Sequence, residues 1–435
     1  MPFPALTTLF QTVRGTSGPG APAPRELRLD EPLNVLGWVL SYDVPERFYF
    51  RHKQGAYEIG GLGASVVLAS DDLPEVAAGL QRIWRQTPEQ RVYGGMKFLP
   101  CGYRSPEWRG FRRFRFHIPL VEIIRNPEGL RVRFHGPEDA ALGAALGHLE
   151  RRRRPPAAPG APRISAIRDI PEPMIWNEMV SSALTEIQGR ALDKIVLSRK
   201  KVLEGTWEIA ELMTRLAAFN DEAFVFLHQI GNATAFMGRS PERLFSLQVG
   251  CLETEAVAGT RPRGTTPEED RRLACDLLQS TKELQEHRIV SCFMEERLGR
   301  HCRSYDILDR EAVVKLCGVQ HIVTRYCGML RNGMTPLEAV LSLHPTPAVG
   351  GTPTAQALAR IGACEPFERG CYAAPIGWMS RCEAEFAVGL RSALLNGQNL
   401  HVYAGAGIVA GSEPRAEWAE TEQKMGTFLS LCHGG

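Results

Sequence analysis

Two pairs of glutamates are the first residues in this chain with spacing suited to chemistry. In Lys282-Glu283-Leu284-Gln285-Glu286-His287 the carboxylates stand three apart within a long helical run, and Glu417 and Glu420 repeat the spacing near the C-terminus. Residues at i and i+3 share a helix face, so each pair can aim both carboxylates at one point. Two facing helices of this kind can make an all-oxygen site for Mg2+, which prefers octahedral oxygen ligands and keeps several waters. A Glu-x-x-Glu pair is equally a solvated helix face, and spacing alone leaves both readings open. Lys194 heads the strand-like run Ile195-Val196-Leu197; a lysine there ordinarily carries its ammonium out to solvent. Glu242 follows Pro241 and by itself reads as a turn residue or a helix-start charge.

A series of short motifs changes the weight of these residues. They are Asp193-Lys194-Ile195-Val196-Leu197-Ser198-Arg199, Gly238-Arg239-Ser240-Pro241-Glu242-Arg243-Leu244 and Ala258-Gly259-Thr260-Arg261-Pro262-Arg263-Gly264. After them come the loop Leu343-His344-Pro345-Thr346-Pro347-Ala348-Val349-Gly350-Gly351, then Tyr403-Ala404-Gly405-Ala406-Gly407-Ile408-Val409 and Glu417-Trp418-Ala419-Glu420-Thr421-Glu422-Gln423-Lys424. Together they resemble the chorismate-utilising enzymes, and the loop resembles the isochorismate synthase branch. The resemblance is close from about Pro173 onward and loose before it.

That resemblance implies a set of roles. Positions matching Glu286 and Glu420 bind Mg2+, and those matching Glu283 and Glu417 support it through water or an outer layer. Lys194 is implied as the base that activates water, which requires a depressed pKa. Glu242 is implied as the acid that protonates the departing ring hydroxyl, which requires a raised one. Arg391 and Lys424 match carboxylate-binding cations, Gly405 allows close backbone approach, and Gly259-Thr260 meet the ring carboxylate. His321 matches a pocket histidine, with a purely structural role an equal alternative. Arg261 and Arg263 read as partners for acidic residues. Glu295, Glu296 and Glu422 receive no role.

The implied reaction is water addition at C2 of chorismate with loss of the C4 hydroxyl, giving isochorismate for quinone (menaquinone), siderophore or salicylate synthesis. Salicylate synthases share the acid, base and metal and then eliminate pyruvate, but tend to carry a hydroxyl residue where this chain has Ala348. Aminating members usually carry a Pro-x-Gly-Thr-x-Ser-Gly-x-Pro loop, absent here, and a catalytically silent homologue is disfavoured by the intact set. The chain departs from the family pattern at Leu284-Gln285, Cys371-Tyr372 and Cys327; these are expected to affect packing and kinetics without touching the acid, base or metal ligands.

The elements that must position these groups alternate in type. Helices are predicted over 73–86, 138–152, 173–189, 206–219, 266–300, 336–342 and 415–431. Strands are predicted at 47–51, 66–68, 111–117, 194–197, 223–229, 233–237, 385–394 and 400–406. Interleaved hairpins and helices indicate an α+β fold with large antiparallel sheets; the resemblance adds that they pack as a sandwich with helices outside. Residues 1–25 read as a disordered N-terminal segment, 26–150 as a divergent N-terminal half without a catalytic constellation, 151–163 as an Arg/Pro-rich linker and 164–435 as the catalytic half of one domain. The four arginines 151–154 read as a solvated helix end.

Composition excludes several classes. At 435 residues, 44% hydrophobic and 23% charged, the chain is that of an ordinary soluble globular protein, and a net charge of +2 gives no cause to expect a nucleic-acid partner. No apolar stretch is long enough to cross a bilayer. Eleven cysteines without metal spacing read as reduced thiols. The expectation is a cytoplasmic monomer with a small-molecule substrate; the first 25 residues, with two arginines and no acid, leave an organelle transit peptide as the alternative.

Overall fold

The apolar run Phe224-Val225-Phe226-Leu227 lacks the polar alternation of a half-exposed strand because both of its faces are covered. Phe224 and Phe226 pack into the core between two sheets, while Val225 and Leu227 join a second core under helices. Strand Glu46–Arg51 does the same, with Phe48 and Phe50 on one side and Tyr49 on the other. In this computed structural model residues 5–15, 26–29, 33–99, 105–136, 139–154, 163–219, 222–315 and 319–432 are described.

The larger sheet has 12 antiparallel strands. Its order runs Glu26–Leu29, Gly129–Phe134, Val121–Asn126, Glu58–Leu62, Glu46–Arg51, Phe224–Gly231, Thr234–Ser240, Ser392–Asn396, Asn399–Ile408, Lys194–Thr206, Gly351–Thr352. Arg163–Ile170 also pairs with Lys194–Thr206. The second sheet has 9 strands, from Cys302–Lys315 through Val319–Leu330, Cys251–Pro262, Arg243–Gln248, Ala384–Val388, Pro375–Met379, Val92–Met96 and Phe114–Ile118 to Val66–Ser70. Helices Val35–Leu40, Ile209–Ala218 and Pro414–Cys432 cover the outer face of the larger sheet. The architecture is the expected α+β sandwich of antiparallel sheets with helices outside.

Both sheets draw strands from either side of the linker. Phe50 pairs with Phe226 in the larger sheet, and Gly94 with Gly377 in the smaller. Residues 155–162, most of the expected linker, lie outside the described residues. The arginine run before them bonds back locally: Arg154 N donates to Ser41 O at 2.7 Å and its guanidinium lies 3.4 Å from Asp43.

Three expectations need correction. Within the segment read as disordered, residues 6–15 form the helix Leu6–Gly15, which buries Leu6, Leu9, Phe10 and Val13, an i, i+3, i+4, i+7 stripe, against Asp139–Arg151 and its surroundings. The expected single helix over 266–300 is two, Pro267–Gln279 and Thr281–His301, because Ser280 ends the first and caps the second through Oγ accepting Glu283 N. The expected strand 385–394 is two strands in different sheets. The long hairpins Arg243–Pro262 and Cys302–Leu330 were not anticipated at all.

Candidate active site

The chain crosses between the sheets twice at one place, and the cavity lies there. Strand Thr234–Ser240 belongs to the larger sheet and Arg243–Gln248 to the smaller, so Pro241 and Glu242 form the crossing. Gly389, Leu390 and Arg391 make the return crossing between Ala384–Val388 and Ser392–Asn396, with Arg391 at φ 44. The two crossings are tied together: Val388 N donates to Glu242 O at 3.1 Å and Arg239 N to Arg391 O at 3.1 Å.

Eleven of the thirteen residues singled out above line this one cavity: Glu242, Gly259, Thr260, Glu283, Glu286, His321, Ala348, Arg391, Gly405, Glu420 and Lys424. Lys194 and Glu417 stand just behind its wall. Lys194, 0% exposed, donates from Nζ to Glu286 Oε1 at 2.8 Å, and Glu417 pairs at 3.5 Å with Lys282, itself a wall residue.

Glu242 is 6% exposed, and its carboxyl is pushed up to about 8, chiefly by burial and then by the charge of Glu255; Lys194, Lys53 and Lys424 oppose the rise without cancelling it. The group is therefore a protonated carboxylic acid at neutral pH. His321 is held neutral, its pKa lowered to about 4 by burial and then by the Arg391 charge. Its Nδ1 lies 3.2 Å from Gly259 O and 3.1 Å from Thr260 Oγ1. With its proton on Nδ1 facing that carbonyl, the ring keeps Nε2 as an acceptor. Gly259 has φ 77 at a bulge in the pairing of Cys251–Pro262 with Val319–Leu330, and the bulge turns Thr260 N toward Glu283 Oε2, 3.1 Å away.

The four helix-borne carboxylates come from the N-terminal ends of two helices, Thr281–His301 and Pro414–Cys432; Glu283 and Glu417 lie in the first turns, where the helix dipole favours negative charge, and Glu286 and Glu420 one turn further on. Each meets a cation of the chain. Glu286 pairs with Lys194, Glu417 with Lys282, Glu283 with Arg261 at 2.8 Å, and Glu420 with Lys424 at 2.6 Å. Burial works against ionisation of Glu420, but Lys424 outweighs it and holds the carboxyl below its usual range. Burial raises Glu417, and the neighbouring charge of Glu420 adds to the rise. As they stand, no three acidic, histidine or cysteine side chains among the described residues converge closely enough to grip an ion. The four carboxylates therefore do not gather on one point as they stand: each is paired with an ammonium or guanidinium, and Glu283 Oε2 also accepts from Thr260 N.

Lys424 Nζ also donates to Gly405 O at 3.0 Å, tying the C-terminal helix to strand Asn399–Ile408. A side chain at Gly407 would push on the two groups paired beside it. A Cβ on Gly407 would lie 2.8 Å from Glu286 Oε1 and 3.1 Å from Lys194 Cε. The loop 344–351 is fixed from below by a buried pair, Glu365 and Arg369, each 2% exposed; Arg369 donates to Val349 O at 2.8 Å and to Val196 O at 2.7 Å, which sets Ala348 against the cavity.

Several wall residues were missed. Tyr403 and Gly407 flank Gly405 at alternate positions of one strand, a period-two signal inside a motif already quoted. Lys282 sits beside Glu283 and four before Glu286. Tyr372, expected to bear on packing and kinetics, lines the cavity, with its hydroxyl 3.1 Å from where a Gly405 Cβ would be. Arg263 pairs with Asp270 at 2.7 Å and Glu422 with Arg199, both away from the cavity as expected.

Comparison with known proteins finds relatives that span most of the chain. The chain is 30% identical to isochorismate synthase MenF of Bacillus subtilis over 94% of its own length and 93% of that protein's. It is 35% identical to the salicylate biosynthesis isochorismate synthase of Pseudomonas aeruginosa, over 77% of this chain and 72% of the relative. The solved structure of MenF, the menaquinone-specific isochorismate synthase from Escherichia coli, superposes with a TM-score of 0.86 at 28% identity, covering 99% of this chain and 100% of that one. Residues 25–432 match the profile of the chorismate binding enzyme family, and the chain belongs to that family.

Proposed function

We propose that the chain is an isomerase converting chorismate to isochorismate, and that the thirteen residues gathered above carry the reaction. A water adds at C2 of the ring while the C4 hydroxyl departs and the double bonds shift between them. One water enters and one leaves, so the change is an isomerisation with no redox step. Glu242 supplies the proton that the departing hydroxyl needs, and the single observation that most supports this reading is a buried carboxyl lining the cavity, its pKa pushed up to about 8 by that burial. Lys194 takes the proton from the incoming water, which requires its contact with Glu286 to open and its amine to be free.

Arg391 and Lys424 offer cationic donors for the two substrate carboxylates, and Thr260 a hydroxyl and an amide. His321, neutral, offers Nε2 as an acceptor for water or a ring hydroxyl. The donor chemistry of Glu283, Glu286, Glu417 and Glu420 fits Mg2+, which takes carboxylate oxygens and water. When bound, the ion would supply a fixed positive charge for the ring carboxylate of the substrate. No helix among the described residues is long and apolar enough to cross a membrane.

The test is incubation with chorismate and Mg2+ followed by chromatography of the products. Isochorismate alone is expected, in keeping with Ala348, a side chain without a hydroxyl, against the cavity. Salicylate with pyruvate would replace this reading with a salicylate synthase, and a requirement for ammonia with an aminating enzyme.

A further inference from the structure

Behind Glu242, on the side away from the cavity, lies a charge cluster to which the N-terminal half contributes. Lys53, just past strand Glu46–Arg51, donates to both oxygens of Glu255 at 2.6 and 2.8 Å. Glu255 is 5% exposed on strand Cys251–Pro262 and accepts a third hydrogen bond, from Arg243 N at 2.9 Å. That amide belongs to the peptide that begins at the Glu242 carbonyl. The same peptide is held from the other side by Val388 N, and Glu242 N donates to Ser240 Oγ at 3.2 Å. The Arg243 side chain extends the clamp, with Nε 2.9 Å from Glu385 and Nη2 3.0 Å from His52 Nε2.

Charge follows the same layout. Facing the Glu242 carboxyl are Glu255, Lys53, Lys194, Lys424 and the Tyr372 hydroxyl. Burial works against ionisation of Glu255, but the Lys53 ammonium and the Arg243 amide hold its carboxyl below the usual range. Two buried glutamates in one cluster are thus kept in opposite states, the pattern that separates a proton donor from an electrostatic partner.

We infer that Glu255, clamped by Lys53, is the positioning residue for Glu242: it fixes the peptide that aims the acid into the cavity and places a negative charge beside it. The inference rests on the reading of Glu242 as the proton donor. It also gives the N-terminal half a task in catalysis, through a residue that touches neither substrate nor cavity.

Titration of the protein labelled with δ-13C glutamate tests it directly. The resonance lost in Glu242→Gln identifies Glu242, and in Glu255→Gln its midpoint is expected to fall by about one pH unit or more. The high-pH limb of kcat should move down by the same amount with KM little changed. Lys53→Met should lower kcat at least about tenfold at constant KM, with Lys53→Arg restoring most of it. A Glu242 midpoint unmoved in Glu255→Gln, or wild-type turnover in Lys53→Met, overturns the inference. Inactivity of the wild-type enzyme toward chorismate would instead overturn the proposed function, and the titration would still decide the role of Glu255.

Discussion

Replacing Glu242 by glutamine is expected to abolish turnover and, above neutral pH, to make the protein more stable. The wild-type carboxyl titrates near 8 in the folded chain and near 4.5 when unfolded. Between those values the folded state holds a proton that the unfolded state has released, so wild-type stability falls as pH rises through the window and levels off above it. At about 1.36 kcal/mol per pH unit, the loss across the window comes to about 3–5 kcal/mol. Glutamine fills the same space and does not titrate, so its variant lacks this slope, while every other group titrates alike in both proteins. Urea unfolding of the two proteins at steps from pH 5 to 9 measures the effect. The stability gap should open in favour of the variant by that amount, with its steepest growth between pH 5 and 8. Parallel curves would mean that Glu242 is an ordinary carboxylate, and the proton-donor argument would fall with them. Turnover by the wild type should decline in step above pH 8.

Lys194→Ala should leave a folded protein without measurable turnover of chorismate; substantial residual activity would remove Lys194 as the base. Gly407→Ala should cut kcat by at least about tenfold with an unchanged far-ultraviolet spectrum, since the new methyl lies 2.8 Å from Glu286 Oε1. Arg369→Met should cost about 3–5 kcal/mol in urea unfolding by stranding Glu365 as a buried charge, and adding Glu365→Gln should recover part of it. Chelation of divalent cations should stop turnover and added Mg2+ restore it, with full activity in the presence of chelator as the contrary result.

Much of the fold was legible where one periodicity acted alone. Helix Leu73–Gln86 was readable to the residue because its stripe of Val76, Leu80 and Trp84 is bounded by Pro74 and Thr87. Strand Cys302–Lys315 was not, because as a sheet edge it is exposed over most of its length and carries charges where a strand signal needs apolar residues. The 385–394 run reads as one strand because the apolar residues Phe386, Ala387, Val388, Leu390, Ala393 and Leu394 run through it with no proline to break them. What splits it is the crossing at Gly389–Arg391, fixed by contacts with Ala374, Arg239 and Ser392 that sequence order conceals. The cavity residues were legible through the motifs that resemble a known family. Lys53 and Glu255 were not, since Lys53 belongs to no motif and its partner lies about two hundred positions away. Spacing revealed which carboxylates could share a helix face, but not that each would meet its own lysine or arginine.

The sharing of both sheets across residue 150 bears on how the protein is made. When a nascent chain has emerged through residue 150, Glu46–Arg51 still lacks Phe224–Gly231, and Val92–Met96 lacks Pro375–Met379. Two rows of unsatisfied backbone groups, with Phe48, Phe50 and Tyr93 beside them, therefore wait on the ribosome, the second until nearly nine-tenths of the polypeptide has been translated. The early product is a natural client for chaperones, and even when the second row is paired the cavity still lacks the wall that Arg391, Gly405, Glu420 and Lys424 bring.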